Sequence, residues 1–211
     1  MTDGGWLLYG AKTGNCLRAA IGLEEAGLPY EIRRVNLQFG EQRGPDFLAL
    51  NPAGKVPVLV GRAAAVGGRF VLTQSNAILL FADIQAPGRL LPTSVKQRIQ
   101  ALERYFYFIA DVVAPIIAGS YLKRSDVGAA APLFAQSMDA IVRAERFVAY
   151  SEYMGGDAFS LADIAAYAIM ITVRDELPWN QVPLLERWYA RIGSRQGVQR
   201  GMSAFDYPGT R

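Results

Sequence analysis

The pattern of the chain changes character once, near residue 88, and that change constrains the fold more than any single motif. Before it, short apolar runs alternate with stretches of helical spacing. Trp6-Leu7-Leu8-Tyr9 has the compact apolar character of a buried strand. Residues 15–26 place Leu17, Ala20, Ile21 and Leu23 on one helical face, Gly27 stops the run, and Pro29 follows it. Tyr30, Ile32 and Val35 suggest a second strand. Residues 45–50 read as a short helix. Residues 56–60 and 70–72 read as two strands separated by a Gly-rich connector over 61–69, and residues 75–84 return to helical spacing through Ile78, Leu79 and Ala82. The order is βαβ, a helical segment, then ββα.

Gln85-Ala86-Pro87-Gly88-Arg89 breaks this pattern, and no convincing strand follows it. Residues 95–117 form one long helical run, in which Pro115 predicts a kink about one turn earlier. Residues 132–154, 160–174 and 181–192 give three more helices, and 197–211 read as irregular. The expected organisation is a small α/β unit over residues 1–85, a linker over 86–94 and an all-helical unit over 95–211. A unit of that size buries a small share of its surface and is expected to lean on the rest of the chain.

The composition sets limits on function. The chain has 211 residues, 51% of them hydrophobic and 19% charged, so it can bury a core. It has no histidine, which excludes Ser-His and Cys-His catalytic pairs and histidine-ligated metal sites. Its one cysteine, Cys16, excludes an intrachain disulfide and a multi-cysteine zinc site. No metal is expected. The net charge of +3 is spread over both halves, so no nucleic-acid partner is expected. The start Met1-Thr2-Asp3-Gly4-Gly5 lacks the basic region of a signal peptide. The longest strongly apolar stretch, residues 164–173, is far short of the ~20 residues that span a bilayer. The expectation is a soluble cytoplasmic protein with no membrane partner.

Three local constellations carry chemistry. In Asn51-Pro52-Ala53-Gly54-Lys55-Val56-Pro57-Val58-Leu59, Pro57 directly precedes an apolar strand and has no N–H for the ladder. A cis Val56-Pro57 bond that turns the Val56 backbone toward a ligand is one resolution, and an ordinary loop proline is the other. In Thr73-Gln74-Ser75-Asn76-Ala77-Ile78-Leu79, Ser75 is placed as an N-cap, with Gln74 just outside the helix. The free N–H groups there suit a carboxylate, and a plain cap is the alternative. The third, Tyr9-Gly10-Ala11-Lys12-Thr13-Gly14-Asn15-Cys16, joins the first strand to the first helix, at the strand end where α/β sheets bind ligands. Its Thr13-Gly14-Asn15-Cys16 has the spacing of a redox Cys-x-x-Cys with threonine first. Capping by Thr13 or Asn15 is the alternative.

Taken together, these segments resemble the cytosolic glutathione transferases over residues 6–195. The resemblance implies a thioredoxin-like N-terminal domain of order βαβαββα followed by an all-helical C-terminal domain. It implies an enzyme using glutathione as cosubstrate, with a small electrophile or disulfide as second substrate, and a homodimer. Ser160-Leu161-Ala162-Asp163-Ile164 resembles that family's capping box: Ser160 as N-cap, Asp163 at N3, and Phe159 with Ile164 as the hydrophobic staple.

Thr13-Gly14-Asn15 resembles the Thr-Pro-Asn of bacterial nu-class members, with Gly14 in place of the proline. That likeness implies Thr13 and Asn15 as the catalytic pair. A hydroxyl or amide donating to sulfur favours the thiolate, and each unit of pKa depression is worth about 1.36 kcal/mol. Tyr9 falls too early, inside the strand. Cys16 is the rival, as a glutaredoxin-like nucleophile. A scaffold that binds without catalysis is the other alternative. The resemblance further implies glutathione contacts from Gln42, Lys55, Val56, Gln74 and Ser75. Tyr105, Phe108 and Tyr121 are candidates for an acceptor pocket, and Phe205 and Tyr207 for a tail folded over the site.

Overall fold

A computed structural model describes residues 5–63 and 68–206. By its internal contacts the chain divides into two compact units, one comprising residues 1–90 and 195–211 and the other residues 91–194.

The first unit is built on a four-stranded sheet of order β2-β1-β3-β4, from β1 (Trp6–Gly10), β2 (Tyr30–Arg34), β3 (Val58–Ala63) and β4 (Gly68–Leu72). β1 and β2 run parallel, with Leu8 opposite Ile32, while β3 pairs antiparallel with both β1 and β4. This is a thioredoxin-like sheet. β3 and β4 run further into the expected 61–69 connector than the apolar pattern shows, because Gly61–Phe70, Arg62–Arg69 and Ala63–Gly68 pair through backbone groups regardless of side chain.

Residues alternate in β1, so Trp6, Leu8 and Gly10 are buried on one face while Leu7 and Tyr9 are half-buried on the other. Tyr9 joins a cluster with Val35, Phe47 and Val58, its ring edge-on to Phe47 at 6.3 Å between centroids. Packing, not chemistry, occupies that residue.

Helix α1 (Gly14–Ala26) is the centre of this unit. Nine of its thirteen residues are buried, and it packs against α3 (Ser75–Gln85) and α9 (Gln196–Ser203). The short α2 (Pro45–Leu48) starts on a proline at N1, as Pro45 predicts.

Helix α9 is a departure from the irregular tail expected over 197–211, and it packs with the first unit, not the helical one. Gly201 explains the packing: a Cβ there would lie 2.6 Å from the Ile21 Cα, so only glycine lets the two helices approach this closely. Two ion pairs fasten the contact, Arg195 to Glu25 at 2.6 Å and Arg200 to Glu24 at 2.6 Å.

The second unit is helical. α4 (Val95–Tyr107), a π-helical stretch (Phe108–Val113) and α5 (Ala114–Leu122) run on without a break. The widened turn falls just before Pro115, whose missing N–H and ring bulk disfavour a regular turn there. The whole run, Val95–Leu122, is long and apolar enough by length and composition alone to cross a bilayer, which no uninterrupted apolar stretch in the sequence suggests. Ala101, Tyr105, Phe108, Val112 and Ile116 along it are buried at the spacing of a core stripe.

α6 (Val127–Arg143) begins five residues earlier than Pro132 suggests, because the Asp126 carboxylate caps it by accepting from Ala129 N at 3.0 Å. It ends in a short 3-10 turn, Ala144–Phe147, so residues 148–154 are not helical. In α7 (Leu161–Met170) all ten residues are buried. Its capping box is present as expected: Asp163 accepts from Ser160 N at 2.8 Å and from Ser160 Oγ at 3.1 Å. Asp163 also accepts from Met154 N and, across to α8 (Pro183–Gly193), from Trp188 Nε1 at 2.8 Å.

Candidate active site

The opening turn of α1 forms one end of the site. Thr13 is the N-cap, in extended backbone conformation, and its Oγ1 accepts from Cys16 N at 3.4 Å. A hydroxyl that accepts in this way keeps a proton to donate. The half-buried Asn15 follows in the first turn, with its Oδ1 accepting from Arg18 Nη1 at 2.7 Å.

Cys16 is fully buried, and its Sγ accepts from Ala11 N at 3.5 Å. Burial pushes its thiol above the ordinary value, against smaller opposing effects of the Thr13 hydroxyl, the Ala11 N–H and the Arg18 charge. A buried thiol held neutral is a poor nucleophile, so the geometry argues against Cys16 as the reactive group.

Beside Cys16 stands Phe205. Gly10 makes room for it, since a Cβ on Gly10 would meet the Phe205 ring at 2.6 Å and the Cys16 sulfur at 3.1 Å. Asp206 then pairs with Lys12 at 2.6 Å, and Arg34 donates to the Asp206 carbonyl. The tail is thus bound to the turn that carries Thr13. Tyr207 lies outside the described residues.

A second wall comes from the loop before β3. Buried Asn51 shapes it: Nδ2 donates to Lys55 O at 2.6 Å, and Oδ1 accepts from Ala53 N at 3.1 Å. Gly54 takes a positive φ of 59°, and the Val56-Pro57 bond is cis. Val56 is half-buried against the Val35–Phe47–Val58 cluster, and the Lys55 side chain is exposed. Gln42, on the short 3-10 turn Glu41–Arg43, adjoins this loop through its carbonyl, which a Cβ on Gly54 would approach to 3.1 Å. The Gln42 Oε1 is buried and accepts no hydrogen bond among the described residues.

The third element is the start of α3. Here the expected cap shifts by one. Gln74 is the N-cap residue, exposed and making no side-chain cap bond, while Ser75 is already helical, at N1. The Ser75 hydroxyl instead bonds inward: Arg18 Nη1 donates to Ser75 Oγ at 3.1 Å and to Asn76 Oδ1 at 3.5 Å. Gln74 is therefore free to face a ligand, beside the N–H groups of a helix start.

Of the acceptor-pocket candidates, Tyr105 and Phe108 are fully buried and have no surface with which to line an open cleft, whereas Tyr121 is 54% exposed. Consecutive aromatics on one helix face different ways, and these two fell on the core side. Sequence reasoning missed Arg18 and Asn51. Asn51 opens the Asn51–Leu59 segment and has a local signal in its place two residues before Ala53, where an Asx turn forms.

A thioredoxin-like sheet with helix starts and a cis-proline loop gathered at the carboxyl end of β1 defines a class of thiol-binding proteins. Residues 14–85 match the family model of the glutathione S-transferase N-terminal domain. The chain is 32% identical to glutathione S-transferase 4 of Zea mays over 87% of this chain and 85% of that one. It is 28% identical to the disulfide-bond oxidoreductase YfcG of Escherichia coli, over 92% and 93%. A crystal structure of a glutathione transferase from Burkholderia graminis, with two glutathione molecules bound per subunit, superposes with a TM-score of 0.86 at 25% identity, covering 96% of this chain and 89% of that one. The chain belongs to the glutathione S-transferase family.

Proposed function

We propose that the protein binds glutathione and holds its thiol as the thiolate beside Thr13 and Asn15. The observation that carries this reading is the state of the α1 turn: the half-buried Thr13 caps the helix start, while the chain's own sulfur is shut inside. The Thr13 O–H and the N–H groups of the helix start favour a charged sulfur. At α3, Gln74, the Ser75 hydroxyl and the first-turn N–H groups suit the γ-glutamyl carboxylate. The Val56 backbone, Gln42 and Lys55 complete the binding residues, with the Gln42 Oε1 supplying an acceptor.

The thiolate then attacks an electrophilic carbon and expels its leaving group. Alternatively it attacks a disulfide sulfur, releasing one thiolate and forming a mixed disulfide; a second glutathione thiolate then attacks the glutathione sulfur of that disulfide, giving glutathione disulfide and expelling the other half as a thiolate. Two findings favour the disulfide course: the likeness to YfcG, named a disulfide-bond oxidoreductase, and the two glutathione molecules per subunit in the Burkholderia graminis structure. They accord with a nu-like assignment, Gly14 notwithstanding. The setting we propose is a cytoplasmic homodimer.

The test is a calorimetric titration with glutathione, followed by assays with an aryl halide and a small disulfide. Uptake with turnover of either substrate is expected. Uptake without turnover would instead assign the fold to binding alone, and no uptake at millimolar glutathione would remove the reading.

A further inference from the structure

Arg18 was not a candidate, and nothing in the thiol chemistry above requires it. It lies in the second turn of α1 and is 1% exposed. Burying a guanidinium is costly unless several acceptors hold it. Its Nη1 reaches Asn15 Oδ1 at 2.7 Å, Ser75 Oγ at 3.1 Å and Asn76 Oδ1 at 3.5 Å. Asn15 belongs to the turn assigned to the thiol, and Ser75 and Asn76 to the helix start assigned to the carboxylate.

The location is the one where a cation does a helix least good, because the N-termini of α1 and α3 both carry partial positive charge. A need to stabilise either helix therefore does not explain it. The Arg18 charge works to lower the Cys16 thiol, against the larger effect of burial, so its field reaches sulfur at this end of α1.

We propose that Arg18 is a positioning residue: its guanidinium ties the Asn15 side chain to the Ser75 hydroxyl and so holds the thiol-facing turn and the carboxylate-facing helix start at the spacing of a γ-glutamyl-cysteinyl unit. This rests on the glutathione reading. Because Nη1 donates to the Ser75 oxygen, the Ser75 O–H is directed away from Arg18, and the same bond that sets the spacing orients a donor for the carboxylate.

The experiment measures glutathione Kd by calorimetry for Asn15→Ala, Ser75→Ala and the double variant, in the wild-type and Arg18→Met backgrounds. In the wild type the two substitutions are expected to be non-additive by at least ~3-fold, since both loosen one tie. In Arg18→Met they become additive within ~2-fold. Arg18→Met alone weakens glutathione about tenfold while the KM of the second substrate stays within about twofold, and Arg18→Lys, which restores the charge on a shorter side chain with a single nitrogen, recovers part of the loss. A folded Arg18→Met with unchanged glutathione affinity overturns the inference. So does additivity in the wild-type background, which decides the matter even if Arg18→Met does not fold. Absence of glutathione binding to the wild type removes the parent reading and this one with it; intact binding with additive effects removes this one alone.

Discussion

At the scale of residues, two groups one turn apart have opposite fates. Thr13 sits at the helix boundary with its hydroxyl half-exposed, and Cys16 lies three residues on, where the helix turns inward. That contrast predicts that Cys16→Ala retains glutathione-dependent turnover within about twofold, and that a thiol reagent labels native Cys16 slowly and unfolded Cys16 fast. Turnover abolished in Cys16→Ala would restore the buried sulfur as nucleophile. Thr13→Val removes the O–H and the cap together, so Thr13→Ser is its companion. The serine variant should keep activity, and the valine variant should lose about 1 kcal/mol of stability, measured by denaturant unfolding. The places of Thr13 and Asn15 in a strand-to-helix turn, and of Gln74 and Ser75 at a helix start, were legible in the sequence because these are local patterns, although the cap fell on Gln74 and not on Ser75. Arg18 was not. Its position among the apolar residues of the first half of α1 gives no local sign that it bonds Ser75, 57 residues on.

At the scale of elements, α9 and α7 show what pattern reading catches and what it misses. α7 was legible through Ser160 and Asp163, a capping box followed by an apolar run. α9 was not, because its glycines look like breakers until Ile21 of α1 is seen packed against Gly201. Gly201→Val should therefore destabilise the protein by about 1–3 kcal/mol, read as a drop in the unfolding midpoint. An unchanged midpoint would mean that α9 moves off α1 without cost.

Asp163 has its carboxyl pushed up to about 6 by burial, against the donors from Trp188, Met154 and Ser160. A carboxyl whose pKa is higher folded than unfolded, about 3.9, takes up a proton on folding. Its contribution to stability is full below about pH 4 and is lost as pH rises toward 6. Unfolding midpoints across that range should show this slope, and Asp163→Asn should flatten it while lowering stability throughout, because an amide N–H faces donors it cannot accept from.

At the scale of the whole molecule, the chain does not divide where its composition does. The break at residues 85–89 falls beside a boundary of the structure, but residues 195–206 rejoin the α/β unit through Glu25–Arg195, Glu24–Arg200, Lys12–Asp206 and the Phe205 ring on Gly10. No local pattern announces such a return, since its cause is a close approach between segments far apart in sequence. A chain ending at residue 194 should be markedly less stable or aggregate, because α1 then exposes an apolar flank in a unit already small for its core. Sedimentation and thermal unfolding of that truncation would show it.

A thiol bound at the Thr13 turn should have its pKa lowered by the protein. Ultraviolet absorbance of the thiolate, followed against pH with glutathione saturating the protein, measures this directly. Ionisation is expected well below the ~8.5 of a free thiol, moving back toward it in Thr13→Val. Bound glutathione that ionises no more readily than free glutathione would rule out a thiolate-stabilising turn.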